Sequence, residues 1–176
     1  MTEAQTVDLS MDELREITRY AAACAEPALV LFERVRPDDP RPRTAFAATR
    51  EFTDGGKRTK AIRDAAWAAQ RAYQEARDAC LPAAAEAARA AVAVAGAAYL
   101  HPLAKATQVL HILGPAAHSA LAMELDGTDG QAHLEIARGL ATPTVVAVLR
   151  RYPPAPDGRG RLGELARVLD GALRHG

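Results

Sequence analysis

Apolar residues recur at every third or fourth position along most of the chain, and the runs are separated by short intervals rich in proline, glycine and aspartate. That spacing is the period of α-helices that each present one face to a core. The first run begins after Ser10, where S-x-x-E with Glu13 forms a capping box, and continues through Leu14, Ile17, Ala21 and Cys24 or Ala25 to Ala28, Leu29 and Phe32. Pro27 removes a backbone donor and crowds the preceding turn, so this run predicts a kinked helix or two short ones ending near Val35. Residues 36–43 form a proline-dense loop. Within it Asp39-Pro40 predicts an N-cap and first position for a helix through Phe46, Thr49 or Arg50, and Phe52, closed at Gly55-Gly56 by a left-handed cap. Ile62, Ala65 or Ala66, Ala69 and Tyr73 place a third helix over 57–79, with Trp67 at one edge of its apolar stripe.

The next segment differs from these amphipathic runs. Between Ala83 and Leu100 only Glu86 and Arg89 carry charge, so a helix there has no wide solvated face and must lie in the middle of the protein. Gly96 inside it predicts a close crossing by another helix, since a glycine there costs about 1 kcal/mol relative to alanine. After His101-Pro102, Gly114-Pro115 divides an apolar stretch into helices over 103–113 and 116–125. A polar loop at 126–130 precedes a helix over 131–140. Thr142-Pro143 then caps a helix to Arg151, residues 152–160 form a loop, and a last helix covers 162–174. No strand-like alternation is sustained, although Val145, Val146 and Val148 hint at one. The expected fold is all-α: a compact multi-helix bundle around a central buried alanine-rich helix, in one domain of 176 residues.

Composition sharpens this picture. Alanine is roughly a quarter of the chain and aromatic residues only 5%, which favours helices that approach closely. Lys plus Arg and Asp plus Glu number 22 each, for a net charge of +0, an argument against a general nucleic-acid or membrane-surface binder. The weakly polar run at 90–104 is broken by His101-Pro102 and falls short of the roughly 20 apolar residues that span a membrane. The acidic N-terminal segment is not signal-like, so a cytoplasmic location is expected. Cys24 and Cys80 stand alone and read as buried thiols.

Candidate chemistry is sparse. Asp12, Glu13 and Glu16 fall in a first helical turn, where the helix dipole accounts for acidic residues. His101, His111 and His118 cannot share one straight helical face, and no carboxylate at helical spacing joins them, so no metal site is expected. Ser119 follows His118, but adjacent helical residues point about 100° apart and form no nucleophile–base pair. The G-G-K-R-T stretch lacks the glycine spacing and preceding strand of a phosphate loop. Lys57, Arg58, Lys60 and Arg63 cluster at a helix start and form the strongest candidate for a partner-binding patch. No catalytic, cofactor-binding or metal residues are assigned, and no cofactor is expected.

Residues 18–52, with Cys-Ala-Glu, Leu-Phe-Glu and the Asp-Pro-Arg-Pro-Arg loop, together with 64–76 and 86–121, resemble the bacterial immunity-five-like proteins in order over about residues 14–123. The chain has Val94-Ala95 where members often carry Gly-His. The resemblance implies an all-helical, non-catalytic cytosolic protein, with a core over 10–125 and a helical extension over 131–176, that binds and neutralises a cognate toxin of a polymorphic toxin system. Two other readings stay open at this level. One is an enzyme or small-molecule-binding bundle with an inter-helix pocket lined by Tyr99, His101 or His111. The other is a homodimer that covers the apolar helices over 103–125.

Overall fold

The capping box closes as its residues require. Ser10 Oγ accepts from the Glu13 N–H at 3.1 Å, and the Ser10 N–H donates to Glu13 Oε2 at 2.9 Å. In the computed structural model, which describes residues 5–176, this cap opens helix α1, Met11–Val35. Residues 1–4 of the acidic N-terminal segment lie outside the described residues. Helix α1 runs unbroken through Pro27, contrary to the two short helices that proline suggested as an alternative. Pro27 and Ala23, whose carbonyl would have received its missing N–H, both lie on the exposed side of the helix, so the freed carbonyl is not buried.

Helix α2, Arg41–Thr53, starts one residue later than expected, with Pro40 as N-cap and Pro42 in its first turn. It ends as its glycines require. Gly55 has φ +107°, its N–H donates to Phe52 O at 3.2 Å, and the Gly56 N–H donates to Glu51 O at 3.0 Å, the paired bonds of a Schellman cap. Helix α3, Lys60–Asp78, begins three residues later than the pattern indicated. It ends in a second cap of the same kind, with Cys80 in the left-handed position at φ 56°. Cys80 is therefore exposed in a turn and not buried as read from sequence; Cys24 is buried.

Helix α4, Pro82–Ala97, is the central helix. From residue 83 to 98 nothing is exposed, and α1, α2, α3 and α5 all pack against it. Its two charges are both engaged: His118 Nδ1 donates to Glu86 Oε2 at 2.7 Å, and Arg89 donates to Gln70 Oε1 at 2.7 Å while lying over the Tyr73 ring.

The stretch after α4 departs from expectation. Residues 103–105 are extended, with Leu103 bridged to Thr6, and the helix begins as a 3₁₀ turn at Ala106–Val109 that leads into α5, Leu110–Leu125. Helix α5 passes through Gly114-Pro115 without a break. A residue before proline avoids helical geometry largely because its Cβ meets the proline ring, and Gly114 has no Cβ. Ala93 of α4 lies alongside, 3.9 Å from where a Cβ on Gly114 would stand.

Asp129 caps α6, Gly130–Leu140, accepting from Gln131 N and Ala132 N. Thr142 caps α7, Pro143–Arg151, as expected, and α8, Gly160–His175, ends the chain. Among the described residues there are eight α-helices and no strand, so the fold is all-α. One apolar cluster joins the C-terminal half of α1 to α2, α3 and most of α4. The other joins the N-terminal half of α1 and the end of α4 to α5, α6, α7 and α8. The apolar face of α5 is thereby covered within the chain.

Gly96 lies at the predicted crossing. His111 Nδ1 of α5 donates to its carbonyl at 2.8 Å, and a Cβ on Gly96 would sit 3.6 Å from that ring nitrogen. A methyl fits there and a larger side chain does not. Gly96→Ala should change stability by no more than about 1 kcal/mol, whereas Gly96→Leu should cost about 1–3 kcal/mol by overpacking. Urea titrations decide this; equal midpoints for wild type and Gly96→Leu would place the crossing elsewhere.

Burial holds His111 and His133 below the ordinary histidine range. In the unfolded chain each takes up a proton near its normal value of about 6.5, while the folded chain resists until lower pH. The unfolded state therefore binds more protons in this window, and stability falls as pH falls. Glu13, held down at about 2 chiefly by Arg151, stays ionised in the fold across that range. The urea midpoint should drop between about pH 7 and about pH 5; a flat profile there would contradict the buried neutral histidines.

Candidate functional site

The basic cluster sits where α2 hands over to α3. The Schellman cap turns the chain sharply, and α3 then carries the next residues along the outside of the bundle, packed chiefly against α2 and α4. Lys57, Arg58, Lys60 and Arg63 are all exposed, yet they do different things. Arg58 Nη1 donates to Ala98 O at 3.3 Å, and its guanidinium lies 5.7 Å from the Tyr99 ring centroid. Tyr99 OH returns a bond to Thr59 O. Since α4 has no basic residue in its own last turn, Arg58 supplies the positive charge that a helix C-terminus favours. Lys60 pairs with Asp64 one turn on at 2.7 Å. Lys57 and Arg63 have no ion-pair or hydrogen-bond partner among the described residues.

Sequence reasoning missed the tryptophan further along the same helix. Trp67 is 68% exposed and not at the edge of the buried stripe as expected. With 3.6 residues per turn it stands opposite Ile62, Ala65, Ala69, Ala72 and Ala76, which face the core. Exposed Arg71 lies one turn beyond it, as Arg63 lies one turn before. Full angular positions for these residues, worked from the period, would have separated Trp67 from the buried alanines.

The other candidates serve the fold. Asp12 pairs with Arg15, Glu13 with Arg151, and Glu16 with Arg19 while accepting from Thr142 Oγ1. His118 is committed to Glu86, and Ser119 Oγ is buried without a hydrogen-bond partner among the described residues, so the two do not pair. His101 is exposed in a loop. Among the described residues, no group of three or more His, Cys, Asp or Glu is placed to hold a metal ion.

An open depression of about 600 Å³ lies over residues 35–41 and Glu75, and one of about 530 Å³ flanks the same loop beside Glu33 and Arg43. Both are edged by ion pairs. Arg41 bridges Asp39 at 2.7 Å and Glu75 at 2.5 Å, and Arg43 pairs with Glu33. The arginines of the Asp-Pro-Arg-Pro-Arg loop thus tie it to α3 and α1. Tyr99, His101 and His111 line neither depression.

The sequence model of the family described as Imm-5 like putative immunity protein matches residues 8–136. The chain belongs to this family. The match is somewhat longer than the resemblance over 14–123, spanning α1 to α5 and entering α6. No curated protein and no solved structure matches the chain. No helix among the described residues is long and apolar enough to cross a membrane. For this immunity-family chain, the two ends of the basic patch should separate by stability. Arg58→Ala should cost about 1 kcal/mol through its lost bond and ring contact, and Arg63→Ala should stay within about 0.5 kcal/mol of wild type. Equal losses in chemical denaturation would remove the distinction.

Proposed function

We propose that this protein binds and neutralises a cognate bacterial toxin by surface complementarity, without catalysis, in the cytoplasm of the cell that makes it. Membership of the immunity family over residues 8–136 carries the reading. Supporting it, no residue from 83 to 98 on and beside α4 is exposed, and the depressions over the 36–43 loop are edged by groups already paired with one another. A binder of this kind acts through what its surface presents, and Lys57, Arg58, Lys60 and Arg63 are the proposed contacts, with Arg58 also holding the fold.

The test is co-expression with the toxin domain encoded beside the gene. Cells carrying both should survive and cells carrying the toxin alone should die; equal killing would remove the immunity reading. Charge reversal at Lys57 and Arg63 should slow association with the toxin and flatten its response to salt more than it abolishes the complex.

A further inference from the structure

We propose that the outward face of α3, centred on Trp67 between Arg63 and Arg71, is the docking surface, and that it takes an acidic protein surface with an apolar recess for the indole. This rests on the toxin-binding reading and extends it to a face, an anchor residue and a partner chemistry.

Three observations converge on this face. Trp67 is the only tryptophan in the chain, and it stands 68% exposed on a helix whose opposite stripe is buried. Burying an indole removes 150–250 Å² of surface, the largest single gain available to a core, and this fold leaves it outside. The flanking guanidiniums are also free. Arg15, Arg41, Arg43, Arg151, Arg161 and Arg174 are all ion-paired, whereas Arg63 and Arg71, like Arg36, Arg50 and Arg159 elsewhere, have no partner among the described residues. Finally, residues 57–71 carry five basic groups against one acid, Asp64, in a chain of net charge +0. The positive charge is concentrated here, so the complementary surface is acidic. Tryptophan and arginine are also the residue types that dominate binding energy at protein interfaces.

A lipid surface fits less well, because an interfacial helix presents a broad apolar face and this stripe holds one large apolar side chain. Nucleic acid fits less well because its binders draw affinity from many cations along a tract.

The test uses the full chain, with fluorotryptophan built into this protein only, and the toxin domain encoded beside the gene. The single fluorine resonance should shift on binding. Trp67→Ala should weaken the complex by about 30-fold or more, as loss of a hot-spot residue does. Trp67→Phe should recover most of that loss, and Arg63→Glu with Arg71→Glu should slow association. Ile136→Ala, at a residue 60% exposed on α6, should leave affinity unchanged. Circular dichroism and melting should match wild type; if Trp67→Ala melts early, the double arginine variant carries the test. Wild type and Trp67→Ala binding within about threefold of each other would overturn the face while toxin binding stands. A wild-type chain that neither binds nor protects would overturn both. Duplex DNA or anionic phosphatidylserine vesicles binding in a Trp67-dependent way, with toxin binding indifferent to Trp67, would overturn the protein partner.

Discussion

Everything in this fold depends on how closely helices can approach α4. Four helices pack around one of sixteen residues, and none of residues 83–98 is exposed. Only small side chains let neighbours close in from every direction, so alanine at 84, 85, 87, 88, 90 and 91 is a geometric requirement as much as a helix preference. The same closeness makes charge expensive on this helix. Glu86 and Arg89 are admitted because His118 of α5 and Gln70 with Tyr73 of α3 meet them, and those contacts in turn fix where α5 and α3 lie.

Arginine does the corresponding work at the helix ends. Arg15 donates to the Phe52, Gly55 and Gly56 carbonyls, and Arg19 to Thr53, so α1 caps the C-terminus of α2. Arg58 does this for α4. In the C-terminal region, nearly buried Arg174 pairs with Asp170 and holds the Tyr152 and Pro153 carbonyls, while Asp170 also accepts from Ala155 N. A chain with equal numbers of basic and acidic groups therefore has most of its cations occupied by its own backbone and carboxylates.

The helices were legible in the sequence wherever a local rule set their ends. The Ser10 box, the Gly55-Gly56 cap and Thr142-Pro143 each depend on residues three to five apart, and each formed as read. The misreadings came from local backbone geometry and from exposure, neither of which the apolar period shows. Pro27 was tolerated because its side of α1 faces water, Pro115 because Gly114 precedes it and α4 encloses both, and Cys80 left the core because a Schellman cap needed a left-handed residue there. The candidate patch was half legible. Clustered charge showed Lys57, Arg58, Lys60 and Arg63, but no local pattern could show that Arg58 belongs to α4's terminus, 40 residues on.

The features that carry the family resemblance and those that suit a binding face fall on different residues. Asp39, Arg41 and Arg43 of the loop are spent on Glu75, Glu33 and one another, and the alanines of α4 are spent on packing. Change at any of these residues removes a contact made within the bundle. Trp67, Arg63 and Arg71 bear no such burden, because α3 meets the bundle through Ile62, Ala65, Ala69, Ala72 and Ala76 on its other side. A scaffold built this way can alter what it recognises without altering how it folds, since α3 presents one face to α4 and the opposite face to solvent. Exposed tryptophan on such a helix costs the core nothing to keep or to replace.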